Sequence, residues 1–518
     1  MFSAFDPAYE CGYAAGAAFV LAACVMHLKG HPRTAIALLA LGATVLRCVA
    51  AALDPFLNDW DEAYHAVVAK NLMEHPLTPM LYRETALPIS SHWPEQHIWL
   101  HKPPFFLWQI ALSLKLFGLH PWAVRLPSVF WTSLLVPVIW RMGTLLRNER
   151  TGFIAAALCA CSYLLQELTA GMINTDHNDS VFIAAVACSW WAWLEHVRNG
   201  SLRWAVATGL FSACAVLTKW YVGGVVFLPW TIWLILQRFS RTALRTYLMG
   251  AVALLLPVCA WLLHIITWFP AEARFEQVFK TLHFSVAMDG HSGSPWFHFE
   301  VIDTLLAPLT WWIVLPACLW LLWRVQGMAH RLLICAPLLA VHLFFALAAT
   351  KMICYTLVLL PIYMLAIGSA MDDLIALIKH QLVRQGAFII AFVALCAYGM
   401  NMPKVEATHS LIGNGLADPR WRQQNLMAMH DFPKLARFLS SNEKPIVFNM
   451  CRNHHLRYMF AYGTEVWAKP PDAPAVDRLR QKGYSVFVIQ DGADPTSFPS
   501  TTILVPDSVF SISKDVRV

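Results

Sequence analysis

The protein chain has 518 residues, of which 58% are hydrophobic and only 14% are charged. This composition excludes an ordinary soluble domain and is typical of a polytopic α-helical membrane protein. The formal net charge is +6, but the lysines and arginines are scattered between apolar segments and form no dense basic run. We therefore expect no nucleic-acid partner.

Apolar runs long enough to be transmembrane helices occur along most of the chain, since about 20 apolar residues cross the hydrocarbon core of a bilayer. No positively charged region precedes the first run, so we expect it to be retained as a span and not removed as a signal peptide. The twelve predicted spans are residues 12–28, 34–53, 124–146, 152–170, 181–197, 204–218, 221–236, 247–266, 305–323, 332–349, 353–370 and 387–402.

Basic residues concentrate in alternate connectors between these runs, and the positive-inside rule assigns such connectors to the cytoplasm. The remaining connectors then face outward, and the polar segments with chemically active side chains collect there. The cytoplasmic set contains Lys29, Arg33, Arg141, Arg147, Arg150, Arg198, Arg203, Arg238, Arg241, Arg245, Arg324, Arg331, Lys379 and Arg384. The outward set comprises residues 54–103, 173–179, 268–303 and 350–351.

A further apolar stretch, residues 104–118, begins within the sequence HIWLHKPPFF. If this stretch and the run 124–146 both crossed the membrane, the arginines between 141 and 150 would lie outside and every later connector would invert. We therefore predict an interfacial helix within an outer loop that spans residues 54–123. Trp108 and Lys115 suit the depth of the lipid headgroups.

The chain becomes polar after Pro403. Two strand-like runs, PIVFNM and YSVFVIQ, occur together with helix-like stretches at 432–439 and 475–481. We predict that residues 1–402 form the membrane domain and that residues 403–518 form a small α/β extracytoplasmic domain.

Two adjacent carboxylates, Asp61 and Glu62, open a helix-like stretch of the first outer loop, NDWDEAYHAVVAKNLMEHP. A surface helix accounts for them structurally, because acidic residues are favoured in the first turn of a helix. Their position just beyond a span also allows one carboxylate to face inward. Both interpretations remain open from these residues alone.

The turn INTDHNDSVF supplies a second acidic pair, Asp176 and Asp179. We expect Asp179 to cap the helix that follows, as Asp often does. Asp176 is less easily explained in this way. Carboxylates at membrane depth are expensive and usually have a partner or a task.

Two lysines, Lys102 and Lys351, are assigned to the same outer face. Pro103 biases Lys102 toward extended geometry, so this side chain is held in place. Snorkelling toward water explains any single lysine at this depth. Two lysines beside several carboxylates are more specific, and they suit the binding of an anionic phosphate beside a hydroxyl that loses a proton.

Histidines on the outer side, among them His101 and His283, offer imidazole ligands that together with carboxylates suit a divalent metal ion. No HxxH-type spacing supports such a site, and interfacial polar roles explain most of these histidines. A metal ion held by His101 and His283 is therefore a hypothesis with little local support.

Four stretches of the chain resemble the polyprenyl-phosphate-sugar glycosyltransferases of the GT-C fold, a family that includes protein O-mannosyltransferases and the bacterial aminoarabinose transferase of lipid A. The resemblance covers roughly residues 58–361. It is carried by DWDEAYHAVVAKNL, by HKPPFFLWQIALSLKLFG with the following WAVRLPSVF, by TDHNDSVF, and by KMICYTLVLLPIY.

The resemblance implies catalytic roles for three acidic residues. Asp61 matches the carboxylate of the first loop that activates the acceptor, and Glu62 is its neighbour. Asp176 matches the acidic residue of the second outer turn.

The resemblance also implies which residues bind the donor. Lys102 would bind the lipid-linked phosphate, and Lys351 with Tyr355 matches a Lys-xxx-Tyr element near that phosphate. His283 resembles the histidine of the long outer loop. The family often has an acidic residue where this chain has His101, which leaves open whether a metal site is retained.

The function implied by the resemblance is transfer of a sugar, with inversion, from an undecaprenyl-phosphate donor to an envelope acceptor that is lipid A, another glycan or a protein. The protein would lie in the bacterial inner membrane, with its active site and C-terminal domain in the periplasm and membrane lipids around it. The rival hypothesis is a lipid-linked sugar transporter or flippase, which predicts ionisable residues near the midplane and on both sides. The acidic residues collect on the outer side, which favours the transferase.

Overall fold

The structure is a computed structural model that describes residues 7–86, 93–173, 177–306, 309–400, 419–491 and 493–511. Most of these residues are helical. Asp176, a predicted catalytic residue, lies outside the described residues, and so does the predicted domain boundary after residue 402.

Seventeen α-helices make up most of the described chain ahead of residue 400. In chain order they are α1 (Pro7–Leu28), α2 (Pro32–Ala52), α3 (Asp61–Leu72), α4 (Pro104–Phe117), α5 (Pro121–Leu146), α6 (Glu149–Cys161), α7 (Tyr163–Ala170), α8 (Asp179–Asn199), α9 (Leu202–Lys219), α10 (Phe227–Leu236), α11 (Arg241–Trp268), α12 (Pro270–Ser285), α13 (Phe297–Leu305), α14 (Trp311–Arg324), α15 (Met328–Leu347), α16 (Leu360–Ala376) and α17 (Gln381–Gly399). Short 3-10 helices lie between some of them, at Trp93–Glu95, Tyr221–Gly224, Met288–Gly290 and Ile353–Leu359.

Seven helical segments in the described chain are long and apolar enough to cross a membrane, and the bent pair α6 and α7 makes an eighth if it counts as one span. Each of these eight coincides with a predicted span. The other four predicted spans fall on α9 and on three shorter apolar helical segments, at Tyr221–Leu236, Trp311–Arg324 and Gln381–Ala397. The chain is therefore a multi-pass membrane protein, and the predicted number of twelve spans stays a prediction.

The helix α4 has 14 residues and therefore a length of about 21 Å, which is shorter than the hydrocarbon core of about 30 Å. Its start is set by Pro103, whose φ of −65° and ψ of 163° leave it just outside the helix, and by Pro104 at the first helical position. It ends at Gly118, which has a φ of +87° that favours glycine. The length agrees with the predicted interfacial helix.

Glycines allow the membrane helices to approach one another closely. A methyl group added at Gly143 on α5 would lie 2.4 Å from the Cα of Gly152 on α6. One added at Gly209 on α9 would lie 2.0 Å from the carbonyl oxygen of Gly250 on α11. Small residues at such crossings are how membrane helices pack without a hydrophobic driving force between them.

Ion pairs join three helix ends on one face of the helical domain. Asp373 on α16 pairs with Arg147 at 2.9 Å and with Arg324 at 3.0 Å, and Asp372 pairs with Arg150 at 3.3 Å. These arginines belong to connectors that were all predicted to lie on one side. The opposite end of α5 is about 39 Å away along its 26 residues. We call that opposite side the Asp61 face.

A small parallel sheet forms the core of the C-terminal α/β unit, residues 419–511. Its strands lie in the order β2-β1-β3-β4, and all three neighbouring pairs are parallel. The elements are helices α18 (Pro419–Leu439), α19 (His454–Tyr462) and α20 (Ala473–Gln481), and strands β1 (Pro445–Phe448), β2 (Glu465–Val466), β3 (Ser485–Ile489) and β4 (Ile503–Val505). The predicted strands are confirmed as β1 and β3, whereas β2 and β4 are too short to leave a sequence pattern.

Candidate active site

The candidate site begins at the first residue of α3. Asp61 occupies this position and is only 4% exposed. The residue before it, Trp60, has a φ of 59°, an uncommon conformation for a residue with a side chain. The helix dipole favours a carboxylate at this end, and the start of α3 holds Asp61 at a fixed position.

Lys102 lies directly against Asp61. Its Nζ atom is 3.0 Å from Oδ2 of Asp61, and the two side chains are 13% and 6% exposed. The backbone before α4 is fixed by Pro103 and Pro104, so the lysine is aimed by the start of that helix. The structure thus brings together two residues that are 41 positions apart in the sequence.

Glu62, the neighbour of Asp61, has a different environment. Its carboxylate accepts hydrogen bonds from Arg125 at 2.6 and 3.0 Å and from the backbone N–H of Asn58. Arg125 on α5 also donates to three backbone carbonyls between residues 51 and 56. Both side chains of this ion pair are fully buried. Glu62 therefore anchors the start of α3 to α5, and we assign it a positioning role instead of the catalytic one that the sequence suggested.

The C-terminal α/β unit packs against the outer loop that carries Asp61. Nη2 of Arg457 is 2.5 Å from Oδ1 of Asp59, and Lys70 donates to the carbonyls of Met459 and Phe460 at 2.8 Å each. Because α3 carries Asp61 at one end and Lys70 near the other, the unit contacts both ends of this helix. Neither of the cross-domain pairs left a signal in the sequence.

Two buried histidines face each other behind Asp61. Nδ1 of His65 on α3 lies 3.3 Å from Nδ1 of His177, and both side chains are fully buried. Burial lowers the pKa of His177 to about 4 and that of His65 well below its usual value. Both imidazoles are therefore neutral near pH 7, and one shares its proton with the other.

A second ion pair lies at the end of α9. Nζ of Lys219 is 2.5 Å from Oδ2 of Asp179, the first residue of α8. The expected capping role of Asp179 is thus replaced by a salt bridge, and the N-cap position belongs to Asn178. Lys219 did not stand out in the sequence, because this residue lies directly at the end of the predicted span 204–218. The partner of Asp179 in the sequence prediction, Asp176, is outside the described residues.

His101, Glu276 and Lys280 form a cluster beside Lys102. Glu276 lies between the other two, with one oxygen 3.6 Å from Nδ1 of His101 and the other 3.5 Å from Nζ of Lys280. Burial lowers the pKa of His101 to about 4. Burial opposes ionisation of Glu276, but Lys280 and His101 outweigh it and lower its pKa to about 2. The cluster thus contains a stable anion, Glu276, in contact with the imidazole of His101 and the ammonium group of Lys280.

A metal ion held by His101 and His283 does not fit this arrangement. Nδ1 of His101 faces Glu276, and Nδ1 of His283 lies 3.3 Å from the hydroxyl of Tyr355. No group of three metal-ligating side chains occurs among the residues that the structure describes. We therefore route no chemical step through a metal ion.

His283 and Tyr355 lie together, and the donor-binding role that the resemblance implied for Tyr355 stays a prediction. Burial lowers the pKa of His283, and the charges of Lys102 and Lys280 act in the same direction. The backbone carbonyl of His283 also accepts a hydrogen bond from Thr350 at 3.0 Å. The long outer loop is thereby tied to the corner that carries Lys351.

Lys351 is placed differently from the prediction. Its Nζ atom donates to the carbonyls of Phe345, Ala346 and Ala348 at 2.6 to 2.8 Å, and the residue is only 4% exposed. All three N–H donors of its ammonium group are therefore used to cap the C-terminus of α15. In this structure Lys351 is a helix cap and has no donor left for a phosphate.

Comparison with known proteins agrees with this geometry. The family model described as dolichyl-phosphate-mannose-protein mannosyltransferase matches residues 101–264. The undecaprenyl phosphate-alpha-4-amino-4-deoxy-L-arabinose arabinosyl transferase 1 of Pseudomonas fluorescens is 25% identical over 330 residues. That match covers 61% of this chain and 59% of the relative, so the chain spans less than two thirds of the curated protein it matches.

Solved structures extend the similarity over most of the chain. ArnT from Cupriavidus metallidurans in the apo state matches with a TM-score of 0.63 and 17% identity, over 86% of this chain and 91% of ArnT. The same protein bound to undecaprenyl phosphate matches with a TM-score of 0.62 and 18% identity, over 91% of this chain and 90% of ArnT. The chain therefore shares the fold of ArnT, in agreement with the GT-C fold that the resemblance in its sequence implied.

Proposed function

We propose that the protein transfers a sugar from a polyprenyl-phosphate donor to a hydroxyl group of an envelope acceptor, with inversion at the anomeric carbon. The acceptor is lipid A, another glycan or a protein. The observation that carries this proposal is the 3.0 Å contact between Lys102 and Asp61 on the Asp61 face. It places the two charges that such a displacement needs in one location.

Asp61 serves as the general base in this proposal. Its carboxylate takes the proton of the acceptor hydroxyl while that oxygen forms a bond to the anomeric carbon. The bond between the anomeric carbon and the phosphate oxygen breaks in the same step. The polyprenyl phosphate leaves with one additional negative charge, and Lys102 stabilises that charge as it develops.

The ion pair also suggests how the base is released for reaction. Lys102 is paired with Asp61, and the carboxylate is nearly buried. A donor phosphate competes with Asp61 for the ammonium group, because both are anions that can bind it. Binding of Lys102 to the phosphate weakens its ion pair with Asp61, and the loss of a neighbouring positive charge makes that carboxylate a stronger base.

The position of Lys102 suits a lipid donor. It directly precedes α4, whose residues Leu112, Leu116 and Phe117 are exposed to at least half of their surface. A donor whose hydrocarbon tail stays in the bilayer would present its phosphate to a cation at such an interfacial helix. The relative bound to undecaprenyl phosphate supports undecaprenyl phosphate as the carrier.

The distribution of charge does not favour a flippase. On the face opposite Asp61, the described acidic residues Asp372 and Asp373 are paired with arginines of short connectors. The pairs Asp61–Lys102, Glu62–Arg125 and Asp179–Lys219 all lie on or next to the Asp61 face. The pairs on the Asp61 face adjoin the candidate base, whereas those on the opposite face join short connectors, and this difference suits a reaction centre on one side. We accordingly place the Asp61 face and the C-terminal unit in the periplasm and the protein in the bacterial inner membrane.

The proposal is tested by mass spectrometry of envelope lipids and proteins from cells with and without the gene. A sugar mass that disappears with the gene, returns with the wild-type protein and fails to return with Asp61→Asn is the expected result. In the purified variant we expect turnover to fall by about three orders of magnitude, as for loss of a general base, while undecaprenyl phosphate still binds. Full activity of Asp61→Asn would contradict the assignment.

A further inference from the structure

The Nζ atom of Lys280 is buried, although 24% of the side chain is exposed, and it has no hydrogen-bond acceptor in the part of the chain that the structure describes. Its Nζ atom lies 3.5 Å from Glu276 and 3.2 Å from the centre of the Trp220 ring. The first contact is an ion pair too long for a good hydrogen bond, and the second is a cation–π contact. An ammonium group has three N–H donors, so Lys280 retains donors for an additional ligand.

Lys351 provides the opposite case. Its three N–H donors are all bound to carbonyl oxygens at the end of α15. Release of this lysine to a ligand would leave the buried carbonyls of a helix end without partners, which is costly. Of the two lysines, Lys280 is thus the one whose ammonium group is available to an anion.

Lys280 belongs to the same location as Lys102. His101, the residue before Lys102, contacts Glu276, and Glu276 contacts Lys280 from one helical turn away on α12. Burial lowers the pKa of Lys280 to about 7; Glu276 opposes this shift, whereas the charge of Lys102 adds to it. Two neighbouring ammonium groups repel each other, and an anion bound between them removes that repulsion.

We propose that Lys280 is the second cation of a phosphate site whose first cation is Lys102. The chemical class of the ligand is a phosphate ester. That this phosphate belongs to the polyprenyl donor rests on the proposed function, whereas the pairing of the two lysines rests on the contacts that run from His101, next to Lys102, through Glu276 to Lys280. Lys280 then binds the leaving phosphate, the role that the sequence assigned to Lys351.

Glu276 and Trp220 prepare Lys280 for this role. Glu276 is nearly buried and supplies the negative charge that keeps the ammonium group protonated when no phosphate is present. The Trp220 ring lies against Nζ and limits the positions that it can take. A cation oriented before binding loses less entropy when its ligand arrives.

The test measures binding of undecaprenyl phosphate to the purified full-length protein in lipid nanodiscs. The variants are Lys280→Met, which removes the charge and keeps the apolar stem, and Lys280→Arg, which keeps the charge. We expect Lys280→Met to raise the Kd by about tenfold or more and Lys280→Arg to retain most of the affinity. Undecaprenol, which lacks the phosphate, should bind the wild-type protein and Lys280→Met equally.

Lys351→Met is the matched control. As a helix cap, it should lower the thermal unfolding midpoint while its Kd for undecaprenyl phosphate stays within about twofold of the wild type. The opposite result, in which Lys351→Met loses the affinity and Lys280→Met keeps it, would overturn the proposal.

Inorganic phosphate separates the two sources of a phosphate group. In the wild type it should compete with undecaprenyl phosphate, and Lys280→Met should weaken both ligands. If Lys280→Met weakens inorganic phosphate and leaves undecaprenyl phosphate unchanged, the site does not serve the donor and the proposal is wrong.

Removal of Lys280 alone leaves Glu276 with only His101 as a partner and can impair folding. The double variant Glu276→Gln with Lys280→Met removes both charges, and replacement of a buried ion pair by neutral side chains is often tolerated. It should fold and still show the loss of affinity.

Because binding is measured without sugar transfer, loss of affinity in a protein that transfers no sugar would refute the proposed function and leave the phosphate site standing. If the protein transfers sugar and its Lys280→Met variant binds undecaprenyl phosphate normally, the phosphate site is refuted and the proposed function stands.

Discussion

Arg457 of the C-terminal unit lies 2.5 Å from Asp59, two residues before the start of α3. Its Nε atom also donates to the carbonyl of Leu57 at 2.7 Å, and the arginine is almost fully buried. The guanidinium group of Arg457 therefore fixes the backbone segment that positions Asp61. The C-terminal unit is thus part of what positions the candidate base.

We expect Arg457→Ala to lower turnover by about tenfold with little change in KM, because a small displacement of a catalytic group slows the chemical step more than binding. Lysine at this position should restore part of the rate. The measurement is steady-state turnover of the purified protein together with its thermal midpoint.

Asp59→Asn completes a double-mutant cycle for this contact. If the two residues act through each other, the double variant should be about as slow as the slower single variant. Independent, additive effects would show that Arg457 acts on the site by another route.

Glu62→Gln tests the anchoring role of Glu62. Loss of its charge removes the carboxylate that pairs with the buried Arg125, and we expect a loss of stability of about 3 kcal/mol. Turnover per folded molecule should fall far less than in Asp61→Asn. Thermal unfolding of the purified variant measures the first quantity and an active-site-normalised rate the second. If the variant kept its stability and lost its turnover, Glu62 would have the catalytic role that the sequence suggested.

The buried pair His65 and His177 predicts a loss of stability in acid. The unfolded chain binds protons near pH 6.5, whereas His177 in the folded protein has a pKa of about 4. Stability should therefore be full above pH 6.5 and decline as the pH falls toward 4, by about 3 kcal/mol for His177 alone. His177→Phe should flatten this decline in thermal midpoints measured from pH 7 to pH 4.5. An equally steep decline in the variant would assign the acid sensitivity to other groups.

Two glycines provide a matched test of helix packing. Gly209→Ala places a methyl group 2.0 Å from the carbonyl oxygen of Gly250, so α9 and α11 must separate, and we expect a loss of about 1–3 kcal/mol. Gly386 on α17 has nothing within 4 Å of the added atom. Gly386→Ala should therefore keep or slightly raise the thermal midpoint, because alanine favours the helix. Equal effects of the two substitutions would argue against close packing at α9 and α11.

Local sequence patterns predicted the elements that depend on neighbours in the chain. Apolar runs gave the positions of the membrane helices, and the double proline after Lys102 gave the start and the short length of α4. The strands β1 and β3 followed from their β-branched and aromatic residues.

Contacts between residues far apart in the chain could not be predicted from local patterns. The sequence pointed to Lys351 and not to Lys280 as the second cation, and only the fold showed that carbonyls at the end of α15 already occupy Lys351. Arg125, Lys219, Glu276 and Arg457 each sit in segments whose local pattern is fully explained by a helix.

The sequence by itself thus determined that this protein lies in a membrane, where its helices run, and that Asp61 and Lys102 stand at the starts of two of them. Tertiary structure alone decided which charges pair and which remain available to a substrate. The physical reason is range: helix formation and membrane partition depend on residues within a few turns, whereas an ion pair depends on distances of a few ångströms between segments up to hundreds of positions apart.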